Sequence, residues 1–197
     1  MLIDIEEAVI LLKDGEIVAI PTDTVYGLAT DMSNSSAVES IFSLKGRSGS
    51  NPLVVLIAER SEVYPFLKNI PEGFEKLADA FWPGALTIVM PVNTAEVDNR
   101  IRAGLSTTGF RVPDNKDTRD LLSVFGPVVA PSANPSDAPP ALIPEDVEKY
   151  FGKSFPILHS GSFSSGIPST IVCYSEGVWN ISRRGAIIPV DINSALK

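Results

Sequence analysis

Two short apolar runs in this chain are each cut off by a proline. Ile17-Val18-Ala19-Ile20 ends at Pro21, and Val128-Val129-Ala130 ends at Pro131. Runs of that length and composition read as buried strands, and a proline directly after each stops the ladder and turns the chain. With 16 prolines and 14 glycines in 197 residues, the fold has to be built from short elements joined by many fixed turns.

The remaining periodicity fills in the elements. Asp4-Ile5-Glu6-Glu7 has the form of a reciprocal helix cap, and Ile5, Ala8, Val9 and Leu12 follow it at helical spacing up to Gly15. Further helices are predicted over 37–44, from Phe74 to Phe81, over 118–125 and over 146–151. Strands are predicted over 25–29, 53–58, 86–90, 106–112, 157–159, 170–174 and 178–181. Helices and strands intermix without strict alternation, repeat or linker. That predicts a single α/β domain over residues 1–197 with a mixed sheet.

Charge distribution points to a ligand. Asp and Glu outnumber Lys and Arg by 24 to 16, yet no carboxylate occurs from Ser40 to Ala58. That stretch holds the glycine-broken loop Lys45-Gly46-Arg47-Ser48-Gly49-Ser50-Asn51-Pro52, which runs into Leu53-Val54-Val55-Leu56-Ile57. Lys45 offers a compact point charge and Arg47 a planar fork, a pairing suited to a polyphosphate. Residues 99–113 (with Arg100, Arg102 and Arg111) and 177–190 (with Arg183 and Arg184) are nearly as distinctive, holding no carboxylate after Asp98 and Glu176. Polar pairs spaced i, i+2 stand beside strand ends: Thr22 and Thr24, Lys45 and Arg47, Ser132 and Asn134. In extended chain each pair can aim both side chains at one ligand. Arg111, inside a predicted strand, requires either a structural carboxylate partner or a substrate carboxylate to clamp.

Other chemistries are excluded. The chain has no phosphate-binding P-loop and no Gly-x-Gly-x-x-Gly fingerprint. One histidine, His159, and one cysteine, Cys173, cannot build a His/Cys zinc cluster or an internal disulfide. A serine nucleophile elbow is missing, so His159 reads as structural and Cys173 as a small core residue. A net charge of −8 disfavours non-specific binding to nucleic acid or to a membrane surface. With no basic-apolar leader and no apolar run near 20 residues, a soluble cytoplasmic protein is expected.

Several segments, in this order, resemble the YrdC family of threonylcarbamoyl-adenylate synthases. They are 21–28 (Pro-Thr-Asp-Thr-Val-Tyr-Gly-Leu), Lys45-Gly46-Arg47 with Asn51-Pro52-Leu53, and Phe81-Trp82-Pro83-Gly84-Ala85-Leu86-Thr87. Arg111-Val112-Pro113, Ala130-Pro131-Ser132-Ala133-Asn134, Pro168-Ser169-Thr170-Ile171 and Arg183-Arg184-Gly185-Ala186-Ile187 follow. The resemblance implies a twisted mixed sheet flanked by helices around a concave cavity. It also implies synthesis of threonylcarbamoyl-adenylate and pyrophosphate from ATP, bicarbonate and L-threonine, with Mg²⁺ arriving on ATP. A downstream threonylcarbamoyl-transferring partner would then modify adenosine 37 of tRNA, which this chain would engage only indirectly. Matched residue by residue, Lys45, Arg47, Asn51, Thr107, Ser132, Asn134 and Arg183 would contact the nucleotide, with Lys45, Arg47, Ser132 and Asn134 nearest the chemistry. Thr24, Arg111, Ala130 and Ser169 would line the threonine and carbamate end. Leu56 departs from the pattern, standing where many longer relatives carry a histidine. A carbamoyl-transfer domain of related fold and a non-enzymatic RNA-binding module are the competing readings.

Overall fold

The computed structural model describes residues 1–46, 51–161 and 164–197. In chain order, β1 (Leu2–Ile3), α1 (Ile5–Lys13), β2 (Val18–Ile20), β3 (Gly27–Asp31), α2 (Ser35–Lys45) and β4 (Val54–Leu56) open the fold. A 3-10 helix (Arg60–Phe66), α3 (Phe74–Phe81), β5 (Leu86–Pro91), α4 (Asn99–Arg102), β6 (Thr107–Arg111) and α5 (Lys116–Phe125) follow. The chain finishes with β7 (Val128–Val129), α6 (Pro144–Phe151), β8 (Ile157–Leu158), β9 (Thr170–Ser175), β10 (Val178–Arg183) and α7 (Pro189–Ala195).

Among the described residues the strands form one mixed sheet in the order β1-β8-β2-β3-β7-β4-β6-β5-β9-β10. β4 and β6 run parallel near its middle, flanked by antiparallel β7 and β5. Apolar side chains on one side of the sheet join α3, Val63 and Ile192 in a core built around Phe74, Phe110, Ile88 and Met90. A second cluster packs α1 against α5 through Leu12, Leu121 and Leu122. No helix among the described residues is long and apolar enough to cross a membrane.

Local chemistry accounts for the elements that matter to function. The Asp4 carboxylate accepts from the Glu7 amide and Glu7 accepts from the Asp4 amide, so α1 begins where its capping box says it should. α2 is capped by Asn34 and stopped by Gly46 in the left-handed region (φ 60°), which leaves Lys45 buried in its last turn. β9 and β10 form a hairpin whose two-residue turn, Glu176-Gly177, has positive φ at both positions (53° and 80°), as a tight hairpin requires. The hairpin register then slips between Ile181 and Arg183, and such a bulge bends a strand and re-aims its side chains. The sequence predicts no element at β1, α4 or α7, and α4, at four residues, is too short to carry a readable helical period.

Candidate functional site

On the face of the sheet opposite the Phe110 core lies a cavity of about 340 Å³. Its lining draws on β3, β4, β5, β6, β9 and the end of β10 and on the turns beyond β2 and β7. Of the residues singled out from sequence it includes Thr22, Thr24, Arg111, Ala130, Ser132, Asn134, Ser169 and Arg183. Another groove, of about 350 Å³, lies beside Trp82 and Pro83, but its Arg60 is already paired with Asp79 and, at 3.0 Å, with Glu75.

Arg111 sits at the carboxyl end of β6, where open α/β sheets place ligands, and only 6% of it is exposed. Its Nε donates to the Gly84 carbonyl (2.9 Å), Nη1 to Thr24 Oγ1 (2.8 Å) and Nη2 to Asp23 Oδ1 (2.5 Å). Asp23 is thus the structural carboxylate partner that a strand arginine needs, and it also accepts from the Asp114 amide at 3.0 Å. Burial lowers the Arg111 pKa from its ordinary value; Asp23 opposes this, and the charge of Arg183 adds to it. The guanidinium stays charged throughout, and the mutual repulsion of two guanidiniums favours an anion near both.

The acceptor on Gly84 depends on a tight turn. A side chain at Gly84 would bring Cβ to 2.6 Å from the Phe81 carbonyl, and the Gly84 amide donates to Val112 O at 2.9 Å. Trp82 Nε1 fixes the same turn by donating to Leu86 O (2.7 Å). Thr22 behaves differently from Thr24. Its hydroxyl donates back to Val25 O (2.6 Å) and accepts the Thr24 and Val25 amides at 3.2 Å, so it shapes the loop while Thr24 meets Arg111.

Lys45 is not itself part of the lining but holds one of its turns. Its ammonium donates to the Asn134 carbonyl at 2.6 Å and to the Ser132 carbonyl, while its own carbonyl accepts from the Ser136 amide at 2.8 Å. The end of α2 and the Ser132-x-Asn134 turn are therefore one construction. Asn134 Nδ2 donates to Pro135 O and Ala138 O, both at 2.8 Å, which leaves its buried Oδ1 without a hydrogen-bond partner. Such an acceptor is costly unless a ligand donor meets it.

At the third corner Arg183 reaches back from the bulged end of β10. Its Nη2 donates to Ser169 O (2.9 Å) and Ser169 Oγ (3.1 Å), and Ser169 Oγ lies 2.8 Å from Thr87 Oγ1. Gly185 permits this approach, since a Cβ there would fall 2.2 Å from Pro168 O. Burial lowers the Arg183 pKa as well.

The remaining expectations divide. Arg47 lies outside the described residues. Asn51 is exposed, next to cavity-lining Pro52, and is not itself part of the lining. Thr107 shares the cavity face of β6 with Arg111 but stands four residues along the strand, roughly 13 Å away; it too is not part of the lining. The other arginines of its acid-poor stretch serve elsewhere. Arg100 pairs with Glu39 (3.3 Å) and Asp98 (3.6 Å), and buried Arg102 binds the Val97 and Leu105 carbonyls. His159 is exposed and not part of the lining, and burial pushes the Cys173 thiol up, away from thiolate character. Sequence reasoning gave no role to Asp23, Gly84 or Thr87. The one signal available was Thr87, a lone hydroxyl between Leu86 and Ile88 in a buried strand.

A family model for Sua5/YciO/YrdC, described as "Telomere recombination", matches residues 10–185. The Bacillus subtilis protein named threonylcarbamoyl-AMP synthase is 36% identical over 98% of this chain and 56% of its own length. A Mycobacterium leprae protein named putative threonylcarbamoyl-AMP synthase is 33% identical over 93% of this chain and 83% of its own. The crystal structure of P. abyssi Sua5 complexed with L-threonine superposes with a TM-score of 0.93 at 33% identity, covering 99% of this chain and 60% of that one. The chain thus spans little more than half the length of the Bacillus and P. abyssi proteins. A cavity floored by a mixed sheet, walled by Arg111 with Thr24 and by the Lys45-clamped Ser132-x-Asn134 turn, and matched over residues 10–185, leads to one conclusion: this chain belongs to the Sua5/YciO/YrdC family.

Proposed function

We propose that the chain is an L-threonylcarbamoyladenylate synthase, a nucleotidyltransferase that joins ATP, bicarbonate and L-threonine and releases pyrophosphate. One observation carries the reading. The cavity lining holds two guanidiniums, several hydroxyls and an unpartnered amide oxygen, and among the described residues no carboxylate, histidine or cysteine. Such a lining suits anions, and it holds no carboxylate or histidine that would serve as a general base or activate its hydroxyls. The names of the relatives, and the threonine complex of P. abyssi Sua5, support the same substrates.

In this reading the threonine amine adds to carbon dioxide derived from bicarbonate, forming the N–C bond and losing its proton to solvent. A carbamate oxygen then attacks the α-phosphorus of ATP, and the bond to the β-phosphate oxygen breaks as pyrophosphate leaves. Arg111 and Thr24 orient the carboxylate and carbamate, while Ser132, Asn134 and Lys45, with Arg47, hold the nucleotide side. Positioning of this kind can supply roughly 7–11 kcal/mol of the barrier. No group of three or more His, Cys, Asp or Glu among the described residues is disposed to cage a metal. The hydroxyls and amide of the lining fit a magnesium ion delivered on the ATP phosphates, held by phosphate oxygens and water, where it neutralises phosphate charge.

The product is a reactive mixed anhydride, to be consumed by a threonylcarbamoyl-transferring partner acting on tRNA in the cytoplasm. The net charge of −8 supports an indirect relation to tRNA. The test is a coupled pyrophosphate assay with single omissions. Release that requires ATP, threonine and bicarbonate together is the expected result. AMP formation driven by carbamoyl phosphate, or salt-sensitive tRNA binding without turnover, would overturn the reading.

A further inference from the structure

Thr87 and Ser169 are two buried hydroxyls of the cavity that face each other, 2.8 Å apart, with 1% and 5% of each residue exposed. Counting hydrogens shows what they offer. Ser169 Oγ already accepts an N–H from Arg183. The O···O line between the two residues carries one hydrogen, whichever residue donates it, and the pair has two. If Thr87 donates, both lone pairs of Ser169 are filled and the Ser169 hydrogen must point elsewhere. If Ser169 donates, the Thr87 hydrogen must do so. Among the described residues no protein acceptor takes that second hydrogen, and both side chains line the cavity.

The position of this donor follows from the strand register. Thr87 and Arg111 each lie one residue beyond the antiparallel Ile88–Phe110 pair, so the hydroxyl pair sits beside the Arg111 end of the cavity. The absence of a side chain at Gly109 across the sheet makes room for Thr87, for a Cβ there would come within 3.1 Å of Thr87 Cγ2. Glycine at that position lets Thr87 lie close against β6 with its hydroxyl turned to Ser169.

We infer that Thr87 is a positioning residue for the amino-acid substrate: with Arg183 it donates to Ser169 Oγ, so that the Ser169 O–H is the donor presented to a substrate carboxylate or carbamate oxygen beside Arg111. The inference rests on the threonine-binding reading above and adds to it a residue that acts through another.

Equilibrium titration of the full chain with L-threonine tests it. Thr87→Val keeps the shape and removes the hydroxyl, and it should weaken threonine binding about tenfold, the loss of one useful hydrogen bond. Affinity for ATP and the Tm should be unchanged. Thr87→Ser should restore threonine binding to within about twofold of wild type, since by this account the hydroxyl and not the methyl matters. In a Ser169→Ala background, Thr87→Val should add no further loss, because its effect passes through Ser169. Unchanged threonine affinity in Thr87→Val, an equal loss in Thr87→Ser, or additive losses in the double variant would each overturn the inference while leaving the functional reading intact. A wild-type chain that binds no threonine would overturn both.

Discussion

Two buried cations serve the cavity, Arg111 in its lining and Lys45 bonded to the Ser132-x-Asn134 turn without being part of the lining, and they are held in opposite ways. Arg111 is tied to a carboxylate, Asp23, together with a hydroxyl and a carbonyl. Lys45 is seated on the backbone carbonyls of Ser132 and Asn134. The first arrangement fixes the planar fork, with three of its five N–H groups donating to protein acceptors. The second uses a rotatable ammonium to hold a turn whose Asn134 oxygen still lacks a donor. One end is set by an ion pair, the other by a cation that organises peptide groups, and the two respond differently to mutation.

Breaking the ion pair should have the largest effect. Arg111→Met leaves Asp23 largely buried without its partner and should cost about 3–5 kcal/mol in denaturant unfolding, with much of this recovered in Arg111→Met/Asp23→Asn. Failure of the double variant to recover would show that the carbonyl and hydroxyl contacts outweigh the charges. Lys45→Met keeps the aliphatic stem but strips a donor from each of two carbonyls, at about 1–3 kcal/mol each, and no acidic substitution partner should rescue it. Rescue by neutralising an acid would mean that Lys45 belongs with Arg111 in kind. Gly84→Ala acts on Arg111 indirectly. Relief of the 2.6 Å contact with Phe81 O displaces the Gly84 carbonyl, for a stability loss of about 1–3 kcal/mol, and a wild-type unfolding curve would remove that turn from the account.

Arg100 supplies the smallest effect. It lies in the same acid-poor stretch as Arg111 but is half-exposed and paired with Glu39 and Asp98. Arg100→Ala should change stability by under about 1 kcal/mol and leave turnover unaltered.

That pair of arginines also shows how far sequence could reach. The acid-poor run was legible, and so was the need of a strand arginine for a carboxylate or a ligand. Which arginine turned inward was decided by β6 pairing with β4 and β5, a contact between distant segments. Asp23 and Gly84 are separated from Arg111 by 88 and 27 residues, and nothing local announces such partners. Thr22 and Thr24 share a spacing that suggested a shared ligand, and both line the cavity with their hydroxyls 3.0 Å apart, but Thr22 also turns back to cap its own loop, as threonines in turns do. Sequence marked both the Lys45 loop and the Ser132-x-Asn134 turn as ligand-facing; the turn lines the cavity, residues 47–50 of the loop lie outside the described residues, and the bond from Lys45 to the turn was not legible. Sequence marks a cation, whereas its partners depend on the tertiary fold.

The central claim is that the Arg111 end takes the amino acid and the Lys45 end takes the nucleotide. Steady-state titration of Arg111→Ala and Ser132→Ala against both substrates tests it most directly. The account predicts a crossed result, with the threonine KM raised at least about tenfold in Arg111→Ala alone and the ATP KM raised in Ser132→Ala alone. Both substrates shifting together in either variant would contradict it.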